Sequence, residues 1–201
     1  DISRFTSLPD KTAFKNRYNL SGKIILNISR LAVSKGQKYL IKAFSQIIPD
    51  FPDLKLVIIG EDWGEMKNLK LLVKNLRLED KVLLPGLVSA QDVLEAFSAS
   101  EIFVLPSLAE GLPTVILEAM ASGLPIVATD VGGVAETLNG VGLVIRAANA
   151  NQLAENMRKL LEDDELRKRC SKLGRERVKR YDWPRVARDV VRVYEDILGV
   201  K

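Results

Sequence analysis

The sequence predicts an α/β fold: a doubly wound, mostly parallel sheet of six strands with helices on both faces. Three observations carry this. Six short apolar runs rich in β-branched residues recur along the chain. Amphipathic stretches at helical spacing separate them. The runs mostly lack strict alternation, as strands buried on both faces should. Strand, helix, strand in repetition implies crossovers onto a parallel sheet, with ligand loops at the carboxyl ends of the strands.

The strands are expected at 23–29 (KIILNIS), 54–60 (LKLVIIG), 81–84 (KVLL), 102–105 (IFVL), 125–129 (PIVAT) and 142–145 (GLVI). A first helix over 38–48 puts Leu40, Ile41, Phe44, Ile47 and Ile48 on one face, and Pro49 and Pro52 stop it. Further helices are expected over 67–76, 90–99, 114–122, 134–138, 151–161 and 165–180. Asp182 can N-cap a last helix with Pro184 in its first turn. Its stripe of Val186, Ala187, Val190, Val191, Tyr194, Ile197 and Leu198 either covers the sheet or docks on a domain outside this chain. The expected division is 1–20 as linker and lead-in, 21–182 as the sheet domain and 183–201 as the closing helix.

The composition narrows the chemistry. The 201 residues contain one cysteine and no histidine. A disulfide scaffold, a cysteine zinc site and a histidine-based triad are therefore excluded from this piece of chain. No apolar run reaches the roughly 18 residues of a membrane span. Residues 158–192 hold 13 Lys and Arg against 7 Asp and Glu, although the whole chain is only +4. Acids and apolar residues are interleaved at helical spacing, so this reads as a solvated helix face rather than a nucleic-acid surface. Asp163-Asp164-Glu165 reads as the acidic first turn of a helix rather than a metal site. One cysteine and the absence of a secretion signal point to the cytoplasm. The missing initiator Met suggests a piece of a longer protein.

Two segments carry chemistry. Ser29-Arg30-Leu31-Ala32-Val33-Ser34-Lys35-Gly36 follows the first strand and precedes a helix. A guanidinium fork, an ammonium and free helix N–H groups together suit an anion; the alternative is two solvated loop cations. The second segment runs from Pro106 to Gly123. Within 111–123 the only charge is Glu118, flanked by apolar and small residues. That predicts a buried carboxylate that needs donors, a ligand or a buried arginine. Glu110 sits in the preceding loop as a candidate or as a plain surface acid. Gly111 allows close approach to the backbone, and Thr114 and Val115 begin the helix.

EGLPTVILEAMASG, with its two glutamates separated by seven residues, resembles the C-terminal nucleotide-binding domain of GT-B fold glycosyltransferases, family 4 (retaining). SRLAVSKG is similar to that family's G-R-L-x-x-x-K-G, with Ser29 in place of the first glycine. LLPGLVSAQDVLEAFSASEIFVLPS, TDVGGVAE, YDWPRVARDVVRVYEDIL and the opening DISRF resemble its other motifs in the same order. The resemblance implies one Rossmann-like half of a GT-B fold. It implies that Arg30 and Lys35 hold the diphosphate of a nucleotide-sugar, Glu118 the ribose and Glu110 the transferred sugar. Gly111, Leu112, Pro113, Thr114 and Val115 would line the sugar and phosphates, and Val88 would meet the base through its backbone. Gly60 is a further candidate. Leu112-Pro113 departs from a common Phe-Gly, and proline has no N–H to give.

The implied reaction transfers a hexosyl group to an acceptor hydroxyl with retention, with no cofactor and no metal. The acceptor site would lie in an absent N-terminal domain, so the chain alone is expected to bind donor and be inactive. The inner membrane face is a second place for the full-length protein. The alternatives are a non-catalytic nucleotide or sugar-phosphate module and another GT-B enzyme such as an epimerase or phosphorylase.

Overall fold

The computed structural model describes residues 2–199. Asp1 of the expected linker, and Val200 and Lys201 of the expected closing segment, lie outside the described residues. The strands are β1 (Ile24–Ile28), β2 (Lys55–Ile59), β3 (Val82–Gly86), β4 (Ile102–Leu105), β5 (Ile126–Thr129) and β6 (Leu143–Ile145). They form one sheet in the order β3-β2-β1-β4-β5-β6, and every pairing is parallel. β3 runs past the expected end through Pro85. It tolerates a residue with no N–H because it lies at the edge of the sheet.

The helices are α1 (Ser3–Thr6), α2 (Lys11–Arg17), α3 (Gln37–Ile47), α4 (Met66–Asn75), α5 (Ala90–Ala99), α6 (Thr114–Ser122), α7 (Val134–Leu138), α8 (Ala150–Glu162), α9 (Asp164–Val178) and α10 (Trp183–Leu198). Successive strand residues point to opposite faces. Ile25, Ile58, Val104 and Val127 therefore pack under α3, α4 and α8. Ile24, Leu26, Phe103 and Ala128 pack under α2, α5, α6 and α7. Both faces are covered, so the strands read as apolar runs.

β1 carries one buried polar residue. Asn27 donates through Nδ2 to the Val104 carbonyl of β4 at 2.8 Å and accepts from Ser29 Oγ at 3.1 Å. Buried Gln37 donates to both Ser29 Oγ and the Arg30 carbonyl, at 3.0 and 2.8 Å. Asn27 and Gln37 thus each find a partner, and the loop after β1 is pinned to the start of α3.

The residues expected as linker and lead-in hold two packed helices. Phe14 of α2 is fully buried, and Arg17 pairs with Asp92 and Glu95 of α5. Phe5 of α1 meets Phe97 edge-on, with ring centroids 5.5 Å apart.

Part of the basic tail has a structural use that its composition did not reveal. Arg167 donates to the Leu160 and Leu161 carbonyls at the end of α8. Arg175 reaches the Ser122 carbonyl that ends α6, and Arg177 reaches Thr137 and Asn139 at the end of α7. These cations satisfy last-turn carbonyls and complement the helix dipoles, so the reading as a merely solvated face is corrected for them. Asp163 caps α9 through the Leu166 N–H at 2.8 Å, in keeping with an acidic first turn. Asp182 caps α10 as expected. α10 covers no part of the sheet and buries none of its residues.

Candidate functional site

The strand order reverses between β1 and β4, and the loops leaving their carboxyl ends diverge around a cleft. The cleft has a volume of about 280 Å³ and is lined by Ile28, Ser29, Arg30, Lys35, Leu105, Glu110, Leu112, Pro113, Thr114 and Val115. Arg30, Lys35, Glu110 and the stretch 112–115, singled out from two distant segments, are thereby brought together.

The loop after β1 closes in a 3-10 turn, Val33–Lys35, and enters α3 through Gly36 at φ 65°. A side chain at Gly36 would strike the Pro106 carbonyl. The Leu108 N–H donates to the Ser34 carbonyl at 2.7 Å. The two loops are held this close so that Lys35 Nζ meets Glu110 Oε1 at 2.7 Å. The same carboxylate oxygen accepts from Ser107 Oγ at 2.6 Å. The Lys35 and Glu110 side chains are only 14% and 9% exposed. The cation expected to hold phosphate and the carboxylate expected to hold sugar are therefore paired with each other. An anionic ligand would compete with Glu110 for Lys35.

The loop after β5 buttresses this wall. The Gly133 N–H donates to the Gly111 carbonyl at 2.9 Å. Gly132 sits at φ 53°, where a Cβ would collide with the Glu110 carbonyl. Buried Thr129 donates through Oγ1 to the Ser107 carbonyl at 2.5 Å. The T-D-V-G-G motif thus shapes the Glu110–Gly111 backbone rather than entering the cleft.

α6 opens into the cleft with Pro113 as its N-cap. The first N–H groups of a helix have no partner within it, and those of Thr114 and Val115 fall at the cleft wall. The expectation of a buried carboxylate at Glu118 is corrected: it is half-buried. Ile116, Ala119 and Met120 are in the core, whereas Thr114 is exposed and Val115 and Glu118 are half-buried. Helical spacing puts 114, 115 and 118 on one open side. Glu118 lies one turn beyond the cleft lining. Partial burial pushes its carboxyl above the usual carboxylate range, and the nearby Arg4 charge pulls it back only in part.

Two of the predicted residues sit elsewhere. The Gly60 N–H donates to the Gly86 carbonyl at 3.0 Å, and a side chain at Gly60 would collide with the Ser29 carbonyl. Gly60 therefore packs strand ends together and does not line the cleft. Val88, just past β3, is half-buried against the core face shared by α5 and α6. One residue beside the site was not singled out. Trp63, in the loop between β2 and α4, lies under the Arg30 guanidinium, 4.1 Å from ring centroid to Cζ. The signal for it was an aromatic residue among Glu61, Asp62 and Gly64 at a strand's carboxyl end.

Residues 10–177 match the model of the family described as glycosyl transferases group 1. The chain belongs to this family. Its Rossmann-like α/β sheet is one half of the GT-B architecture. This glycosyl transferase domain is 35% identical, over 86% of its length and 47% of the relative's, to an N-acetylgalactosamine-N,N'-diacetylbacillosaminyl-diphospho-undecaprenol 4-alpha-N-acetylgalactosaminyltransferase of Campylobacter jejuni. The chain spans about half the length of the curated relatives it matches. It is similar to the crystal structure of the C-terminal domain of a glycosyl transferase group 1 family protein from Francisella tularensis. There the TM-score is 0.79 and the identity 25%, covering 89% of this chain and 96% of that one. Anabaena HepE in complex with UDP-glucose shares the fold at a TM-score of 0.88 and 23% identity, covering 98% of this chain and 55% of that one. Among the described residues no helix is long and apolar enough to cross a membrane.

Proposed function

We propose that this chain is the donor-binding half of a retaining, family 4 glycosyltransferase that moves a hexosyl group from a nucleoside diphosphate sugar to an acceptor hydroxyl. One observation carries the reading. A single cleft combines Arg30, Lys35, the N-terminus of α6 and Glu110, with Glu118 one turn further along the same helix. Arg30 and Lys35 bind the diphosphate. The Thr114 and Val115 N–H groups add partial positive charge beside it.

As the bond from the anomeric carbon to the diphosphate breaks, its electron pair stays on the departing oxygen. The acceptor oxygen bonds to the same carbon on the face the diphosphate leaves, and its proton passes to the departing diphosphate oxygen. The fixed cations and the helix end stabilise the charge that builds on the leaving group. In this reading no metal is required. Glu118, ionised, accepts hydrogen bonds from the ribose diol. Glu110 leaves Lys35 to the phosphate and turns to a hydroxyl of the sugar. Pro113 withholds an N–H that another residue would offer, which narrows the donor sugars accepted. HepE, with the same fold, holds UDP-glucose in a crystal. The acceptor comes from a second domain on which the apolar side of α10 docks, and the chain alone does not turn over. The cytoplasm, or the inner face of the membrane, is where such a protein would work.

Calorimetric titration of the chain with UDP, GDP and ADP, and with their glucose, mannose and N-acetylglucosamine derivatives, tests the reading. Selective binding of one nucleotide that is lost in Glu118→Ala supports it. Equal affinity of that variant and the parent chain overturns the role of Glu118.

A further inference from the structure

Arg30 is an exposed cation with no acidic partner. It makes no ion pair among the described residues, and its carbonyl alone is hydrogen-bonded, to Gln37. A long side chain without partners samples many rotamers. Its guanidinium nevertheless lies over the Trp63 ring at 4.1 Å from the centroid. Trp63 is itself fixed although it is 57% exposed. Its indole Nε1–H donates to Glu61 Oε2 at 2.9 Å. Its backbone N–H donates to the Leu31 carbonyl at 3.0 Å, and the Leu31 N–H donates to the Glu61 carbonyl at 2.8 Å. These bonds zip the loop after β2 to the loop after β1, beside Arg30. Asp62 then gathers the N–H groups of Gly64, Glu65 and Met66 on one carboxylate oxygen, fixing the turn that carries the indole. Trp63 is not among the residues that line the cleft.

We infer that Trp63 is a positioning residue: its indole face holds the Arg30 guanidinium toward the cleft, ready for the diphosphate of the donor. This rests on the donor-site reading above. Glu61 anchors the platform: its carboxylate accepts from the indole N–H, and it forms no ion pair with Arg30 among the described residues. A π face attracts a cation without cancelling its charge. A carboxylate in the same place would bind Arg30 and oppose the phosphate.

The test is a double-mutant cycle read by calorimetric binding of UDP, GDP and ADP to the chain. Trp63→Leu removes the π face and keeps apolar bulk; Trp63→Phe keeps a face. Trp63→Leu should weaken binding of the preferred nucleoside diphosphate roughly three- to tenfold, with most of the affinity kept in Trp63→Phe. In an Arg30→Ala background Trp63→Leu should cost nothing further. Unchanged affinity of Trp63→Leu overturns the inference. An equal loss in the Arg30→Ala background also overturns it, since Trp63 would then act without Arg30. If the parent chain binds none of the three nucleotides, the donor-site reading fails and takes this inference with it. Binding by the parent with no effect of Trp63→Leu removes this inference alone.

Discussion

Two ion pairs in this chain look alike in sequence and differ in what surrounds them. Arg17 of α2 faces Asp92 and Glu95 of α5, and Lys35 faces Glu110. Each joins segments more than 70 residues apart. At the first, one cation serves two acids packed between helices. At the second, one acid serves a cation that stands beside an unneutralised Arg30 and an open helix end. The first arrangement is a clamp. Under the proposed donor site the second is balanced for replacement, because a diphosphate would meet more positive charge than Glu110 cancels.

The largest effect that would sharpen the contrast is at Arg30. Arg30→Ala should lower turnover about a hundredfold in the full-length enzyme, as loss of one charge-stabilising donor does. Steady-state kinetics reads this, and urea stability should not move. An unchanged rate would remove Arg30 from the site.

Next comes the clamp. Arg17→Ala leaves two nearly buried carboxylates without their cation. It should destabilise the chain by about 2 kcal/mol, less than a fully buried pair would because Arg17 is itself half-exposed. Urea unfolding gives the value, and nucleotide affinity should survive. The contrast would break if binding fell and stability held.

A smaller change is expected at Glu110. Glu110→Gln frees Lys35, so a plain nucleoside diphosphate should bind severalfold more tightly, while the sugar nucleotide loses that gain. Weaker binding of both would mean that Glu110 shapes the loop instead of competing for Lys35.

The smallest effect is a pH dependence at Glu118. Its carboxyl is raised above the ordinary value of 4.5 by burial. The folded state therefore holds the proton more tightly than the unfolded state. The stability linked to that proton is fully present below the unfolded value and is lost as pH rises through the raised one. Glu118→Gln should be slightly more stable than the parent at pH 7, with the difference closing as pH falls below 4.5. A difference that does not vary with pH would argue against a strained carboxylate here. The clamp acids should stabilise the fold, whereas this acid should cost it something.

Much of this was legible in the residues. The six strands were readable because both sheet faces are covered, which leaves KIILNIS and LKLVIIG as apolar runs. The polar exception, Asn27, could not be interpreted until the Val104 carbonyl lay opposite it. α2 escaped notice because Phe14 alone is buried in a stretch of Lys, Asn and Arg, and the rest of its anchoring comes from acids 75 or more residues away. Of the residues lining the cleft, Arg30, Lys35, Glu110, Thr114 and Val115 stood out because they fall at strand ends or a helix start, where a parallel sheet gathers ligands, whereas Leu112 and Pro113 were named only through the family resemblance. The Lys35–Glu110 pairing and the Trp63 platform were not. Both depend on which loops the strand order makes neighbours, and local spacing carries no trace of that. Glu118 was identified as unusual for a reason that holds only in part: the helix buries one side of it, not both.

The arginines of α9 fix where the chain ceases to matter for cohesion. Arg167, Arg175 and Arg177 close the ends of α8, α6 and α7 in turn, and Val178 is the last of the described residues to enter the core. Beyond it, α10 holds its own backbone bonds over side chains as exposed as Ile197 at 75%. A protease nibbling from the carboxyl end would meet little resistance through α10 and stall at α9. The smallest durable fragment would thus end near Tyr181 with its cleft whole, and cuts about two turns deeper would unfasten α7 and α6 together.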